Sequence, residues 1–113
     1  MLPSKYRLST SFFKEIAQQE RKPDQIVSSK YFSAKIYFSR NDFSRFAVVA
    51  NSSSFKKAVL RNRLRRIVYE ILRKGDFFKK PGLDVVVVLR PQASFLNQET
   101  RKELEEEIKK IFS

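Results

Sequence analysis

Apolar residues along this chain recur first at a helical spacing, then at a strand spacing, and then at each again. Between residues 59 and 74, Leu60, Leu64, Ile67, Val68, Ile71 and Leu72 lie three or four positions apart, which predicts a helix with one continuous apolar stripe turned to a core. An earlier helix is expected over 12–20, capped by Thr10 or Ser11 and stopped before the turn at Lys22-Pro23-Asp24. The period then drops to two. Ala34, Ile36 and Phe38 alternate with Lys35 and Tyr37, and after the turn at Arg40-Asn41-Asp42 comes the run from Arg45 to Ala50. This pattern predicts two strands paired as a hairpin. The unbroken apolar run inside 84–90 predicts a central strand covered on at least one face, ended by Pro91 after a turn at Lys80-Pro81-Gly82. A last helix over 97–112 places Leu104, Ile108 and Ile111 on one side, with Glu105-Glu106-Glu107 as a solvated surface. The predicted order is α-β-β-α-β-α, an α+β sandwich with helices against a small sheet.

Charge gives the long helix its meaning. The run Lys56-Lys57-Ala58-Val59-Leu60-Arg61-Asn62-Arg63-Leu64-Arg65-Arg66 holds six cations and no anion. Asn62, Arg63, Arg65, Arg66, Tyr69, Glu70 and Arg73 fall opposite the apolar stripe, and Arg61 lies near its edge at the first turn. A solvated helix face normally mixes signs, but here Glu70 alone opposes eight cations between Lys56 and Lys74. Like charges at helical spacing repel by about a few tenths of a kcal/mol per pair, so the density calls for a polyanion. Arginine at the centre of the run favours bidentate contact with phosphate oxygens or a guanine edge.

With 113 residues, 42% of them hydrophobic, the chain suffices for a single domain, 1–113, with a modest core. Net charge is +12, and residues 1–98 carry 20 bases against 7 acids, so the positive field belongs to the main body. Such a field speeds encounter with nucleic acid and makes binding fall steeply with salt. Cysteine and histidine are absent, which removes disulfides, thiolate nucleophiles, His general bases and zinc sites built on either residue. No signal peptide and no apolar run near the roughly 20 residues of a membrane span is visible, so a cytoplasmic protein is expected. Eleven Phe and four Tyr crowd the chain, with Phe12, Phe13, Tyr31, Phe32, Tyr37 and Phe38 in its first third. Most suit a core, while some would line a groove in which single-stranded bases stack beside Lys35.

The segment from Lys57 to Arg66, followed by Glu70 and Arg73, resembles the signature helix of the bacterial ribonuclease P protein component, K-A-V-x-R-N-R-x-K-R with R-E and a later Arg. Further matches are Met1-Leu2-Pro3 through Arg7-Leu8, Phe13 with Ile16, Arg45-Phe46, and the strand from Asp84 to Pro91. In that family a catalytic RNA uses magnesium ions to hydrolyse the phosphodiester at the 5′ end of mature tRNA, and the protein binds that RNA and the precursor's 5′ leader. The resemblance implies a left-handed β-α-β crossover. It assigns Lys56, Lys57, Arg61, Asn62, Arg63, Arg65, Arg66 and Arg73 to the catalytic RNA. Phe12, Phe13, Lys35, Tyr37, Ser52 and Ser53 are assigned to the leader. No catalytic residue, metal site or protein-bound cofactor is expected; magnesium belongs with the RNA.

Three positions depart from the family pattern. Asn51-Ser52-Ser53-Ser54-Phe55-Lys56 replaces the usual S-K-K-x-G, which removes two lysines and the counterion release they would add. Ala17 stands where a second aromatic is usual, with Phe12 placed to compensate by turning inward, and Ala47 replaces a common strand glycine. Other readings of the charge are a structural or ribosomal RNA-binding protein without a role in cleavage, and a basic helix lying on an anionic membrane. Neither membrane nor DNA is the expected partner.

Overall fold

The computed structural model describes residues 4–95 and 98–112. Its helices are α1 (Thr10–Gln18), α2 (Ala58–Lys74) and α3 (Gln98–Ile111), and its strands β1 (Gln25–Ser28), β2 (Phe32–Phe38), β3 (Arg45–Val49) and β4 (Leu83–Leu89). Short 3-10 turns occupy Ser4–Tyr6, Phe77–Lys79 and Pro91–Phe95. Asn97, expected to open the last helix, and Met1, Leu2 and Pro3 lie outside the described residues.

The sheet runs β1-β2-β4-β3. The expected hairpin between the strands at 34–38 and 45–50 does not form, because β4 lies between them. It pairs antiparallel with β2 from Phe32↔Leu89 to Phe38↔Leu83, and parallel with β3 from Arg45↔Asp84 to Val49↔Val88. The reason lies in β4 itself: Val85, Val87 and Leu89 are buried on one face and Val86 on the other, so the valine run stands only in the middle of a sheet covered on both sides. Residues 39–44 are therefore a loop to a strand that is not adjacent, and α2 is the connection between the parallel pair β3 and β4. The partner that β2 does have in a hairpin is β1, which the sequence pattern did not reveal. Its turn is fixed by Ser29, whose hydroxyl oxygen accepts from the N–H groups of Tyr31 and Phe32 at 3.1 and 3.2 Å.

Helix α1 begins at Thr10, earlier than predicted, so Ser9 rather than Thr10 or Ser11 holds the cap position in extended backbone. It stops at Gln18, and Glu20 adopts the left-handed region at φ 49°.

Two apolar layers hold the sheet. On one face, Leu64, Val68, Ile71 and Leu72 of α2 and Leu104, Ile108 and Ile111 of α3 pack with Phe32, Ile36, Phe46, Val85 and Val87. At about 1.5–3 kcal/mol per fully buried large side chain, this layer dominates the stability. On the other face, Leu8 and Phe12 cover Tyr37, Ala47 and Val86. That layer is small, and it leaves part of the sheet uncovered.

Candidate nucleic-acid interface

Because the stripe of α2 is buried, the charge of the helix has only one direction to go. Asn62, Arg63, Arg66 and Arg73 are exposed and Arg65 is half-buried, as are Arg61 and Glu70. The single acid of α2 turns away from the arginines and meets Arg101 of α3 at 3.4 Å. Among the described residues, Lys56, Lys57, Arg61, Arg63, Arg65, Arg66 and Arg73 form no ion pair. Most of them sit in the first half of the helix, where the backbone dipole is already positive, an arrangement that an external anion relieves.

Two side chains on this face have internal partners. The Asn62 side-chain oxygen accepts from Arg65 Nη1 at 2.9 Å, which fixes the direction of that guanidinium. Arg61 Nη1 donates to the carbonyls of Phe55 and Lys56 at 2.7 and 3.1 Å. Arg61 thus ties the preceding loop to the first turn of the helix instead of projecting freely. Phe55, 1% exposed, anchors that loop from below and leaves Ser52, Ser53, Lys56 and Lys57 exposed above it.

The uncovered part of the sheet is the second half of the surface. Strand register places Tyr37, Asp84 and Arg45 in one row on the α1 side, Lys35, Val86 and Ala47 in the next, and Ser33, Val88 and Val49 in the third. Helix α1 covers the first row. Beyond it Lys35 is exposed and Ser33, Val49 and Val88 are half-buried, flanked by half-buried Phe13 and Ile16. This strip leads along β3 to the loop that carries Ser52 and Ser53. Of the six residues assigned to the leader, Phe13, Lys35, Ser52 and Ser53 are therefore accessible.

Phe12 and Tyr37 are not. They are 6% and 4% exposed and meet edge-to-face at 5.5 Å, while the Arg21 guanidinium lies 5.3 Å from the Tyr37 ring centre. Lys35 and Tyr37 do share a face, as the alternation implied, but α1 closes over the tyrosine. Phe12 and Tyr37 support the strip from beneath, and burial raises the Tyr37 hydroxyl pKa despite the nearby Arg21. Ser33, Val49 and Val88 line the strip without having been singled out in the sequence; the period of β4 carried the signal once its partners were known.

At the covered end, Arg45 Nε and Nη2 donate to the two oxygens of buried Asp84 at 2.9 and 2.8 Å. That hydrogen bonding raises the Arg45 pKa further. No group of three or more acidic side chains able to hold a metal occurs among the described residues. No helix there is long and apolar enough to cross a membrane, and the apolar face a membrane would need on α2 is inside the protein. The surface therefore presents unpaired cations along α2 and, across the sheet, a strip of half-buried apolar side chains beside an exposed lysine.

The comparisons with known proteins agree with this geometry. A ribonuclease P protein component from Coxiella burnetii (strain Dugway 5J108-111) is 39% identical over 93 residues, covering 79% of this chain and 70% of that one. One from Pseudanabaena sp. (strain PCC 6903) is 33% identical over 116 residues, covering 100% and 93%. The solved structure of the Staphylococcus aureus RNase P protein superposes with a TM-score of 0.75 at 20% identity, over 96% of this chain and 95% of that one. The Thermotoga maritima RNase P protein gives 0.73 at 24% identity, over 93% of each, and both likenesses speak for the fold. The family model described as Ribonuclease P matches residues 2–113, so the chain that presents this arginine face and this open strip belongs to the ribonuclease P protein family.

Proposed function

We propose that this chain is the RNA-binding protein subunit of ribonuclease P and assists a catalytic RNA in removing the 5′ leader from precursor tRNA. The observation that carries the reading is the unopposed row Arg63, Arg65, Arg66 and Arg73 on α2, joined through the 51–57 loop to an uncovered strip of sheet. In this reading the arginine row, with Lys56 and Lys57, holds the catalytic RNA. Arg61 orders the loop between the two surfaces, and its remaining N–H groups face the same RNA. The leader lies across Phe13, Lys35, Val49 and Val88 and reaches Ser52 and Ser53.

Hydrolysis belongs to the RNA and its magnesium ions. In this reading the protein need supply no catalytic group: no cluster of three or more carboxylates that could hold a metal occurs among the described residues, and the sequence contains no histidine to act as an imidazole base. The protein's contribution is affinity and position, exerted in the cytoplasm, where both RNAs reside.

The test is cleavage of a precursor tRNA at low magnesium by a bacterial ribonuclease P RNA, with and without the protein, beside a protein-only control. Stimulation that depends on the RNA is expected. Tight, salt-dependent RNA binding with no stimulation would replace this reading with that of a structural RNA-binding protein.

A further inference from the structure

A second aromatic surface lies at the opposite end of β3 from the 51–57 loop, separated from it by the five residues of that strand, about 16 Å at the usual rise. Here Tyr6 and Phe78 rings lie 4.4 Å apart at 35°, and Phe43 meets Tyr6 edge-on at 5.6 Å. All three are half-buried, so each leaves ring surface in the open. Lys5 Nζ stands 4.7 Å from the Phe43 ring centre and 5.6 Å from that of Tyr6. Lys79 borders the same cavity of about 240 Å³, and its ion pair with Asp76 is long, at 3.8 Å, and exposed. Asp42 completes the lining, and neither its carboxylate nor the Tyr6 hydroxyl has a hydrogen-bond or ion-pair partner among the described residues.

We propose that Tyr6, Phe43 and Phe78, with Lys5, Lys79 and Asp42, bind one unpaired nucleotide of RNA outside the strip and the basic helix. The chemistry selects this ligand in three ways. The open parts of the three half-buried rings offer surface on which a base stacks. The two lysines reach a flanking phosphate from the rim. The Asp42 carboxylate repels a bare phosphate from the interior and accepts N–H groups from a base edge, which guanine meets best, since its N1–H and N2–H point the same way. The proposal takes from the ribonuclease P reading only that the partner is RNA; that RNA is either the catalytic subunit or the precursor.

The experiment is an NMR titration of the whole protein carrying Phe13→Ala and Lys35→Ala, which disable the strip, with a single-stranded hexanucleotide of uridines containing one guanosine, and with an all-uridine control. The Tyr6, Phe43 and Phe78 ring resonances are expected to move, more strongly with the guanosine oligonucleotide. Phe43→Leu, which keeps apolar volume, should weaken the titration by about tenfold. Lys5→Ala, at an exposed position, removes a rim cation and weakens it, and Asp42→Asn removes the preference for guanosine. Rings that stay still at oligonucleotide concentrations saturating the unmutated strip would overturn the proposal, whereas a silent Phe13 in the unmutated protein would count against the leader reading alone. In the holoenzyme, Phe43→Leu then separates the sources: weaker assembly identifies the catalytic RNA, weaker precursor binding identifies the substrate, and no change in either overturns the site.

Discussion

Arg45 and Asp84 face each other across the parallel strands β3 and β4 in a two-point ion pair whose halves are unequally buried, with side chains 32% and 3% exposed. The inequality predicts unequal mutants. Arg45→Leu strands a buried carboxylate and should cost about 3 kcal/mol, whereas Asp84→Asn leaves a guanidinium that rehydrates at the rim and should cost about 1–2 kcal/mol. Urea denaturation of both variants at neutral pH measures the difference. Equal costs at neutral pH for the two variants would contradict the assignment.

Adjacent phenylalanines on α1 should behave in opposite ways. Phe12 is buried against Tyr37, so Phe12→Ala should lower stability by about 3 kcal/mol through the cavity it leaves. Phe13→Ala should leave the fold nearly intact and reduce the preference for precursor over mature tRNA by about tenfold through lost base stacking. Thermal melts alongside filter binding of both RNAs would show the split, and a stable Phe12→Ala protein would refute it.

Salt dependence separates the arginines of α2. If Arg65 and Arg66 hold phosphates as proposed, Arg65→Ala with Arg66→Ala should lower the slope of log affinity against log salt by about 2, with the melting curve unchanged. Arg61→Ala also frees the carbonyls of Phe55 and Lys56, so it should cost about 1 kcal/mol of stability as well. Identical melts for the two variants would remove the loop-ordering role of Arg61.

Alkaline pH should weaken the protein. Tyr31 donates to Glu103 of α3 at 2.5 Å, and this hydrogen bond, with burial and the charges of Glu103 and Glu107, raises its pKa above the ordinary 10.0; burial raises Tyr37 as well. A raised folded pKa means stability that is whole below the unfolded value and lost as pH climbs through the folded one. Stability should therefore fall above about pH 10, and Tyr31→Phe should flatten part of that fall. A variant with the parent's slope would show that the Tyr31–Glu103 bond is not its source.

Helical periodicity revealed what depends on neighbours along the chain. The apolar stripe of α2, its unmixed charge and the twofold alternation near Lys35 are local patterns, and each survives in the structure. Strand partnership is different, because the preference of β2 for β4 over β3 depends on burying Val85 and Val87 on one face and Val86 on the other, and no nearby residue records it. For the same reason Tyr37 seemed an accessible partner of Lys35: alternation gives the face, and only the path of α1 decides how much of that face is covered. Strand β1, with Ile26 and Val27 as its only apolar residues, was too short to register as a pattern. Arg61 carried the signal of an RNA contact, and its bonds to two loop carbonyls emerged only from the path of the chain into the extended cap residue Lys57.

The central place of β4 governs how the molecule is made. Translation delivers β1, β2 and β3 first, then all of α2, and only afterwards the strand that joins them. Until residue 89 has left the ribosome, one edge of β2 has no partner, β3 is not joined to β2, and the apolar stripe of α2 lacks the middle strand of the face it covers. Folding is thus a late event that closes long loops at once, and a chain ended anywhere before β4 has no sheet centre on which to fold.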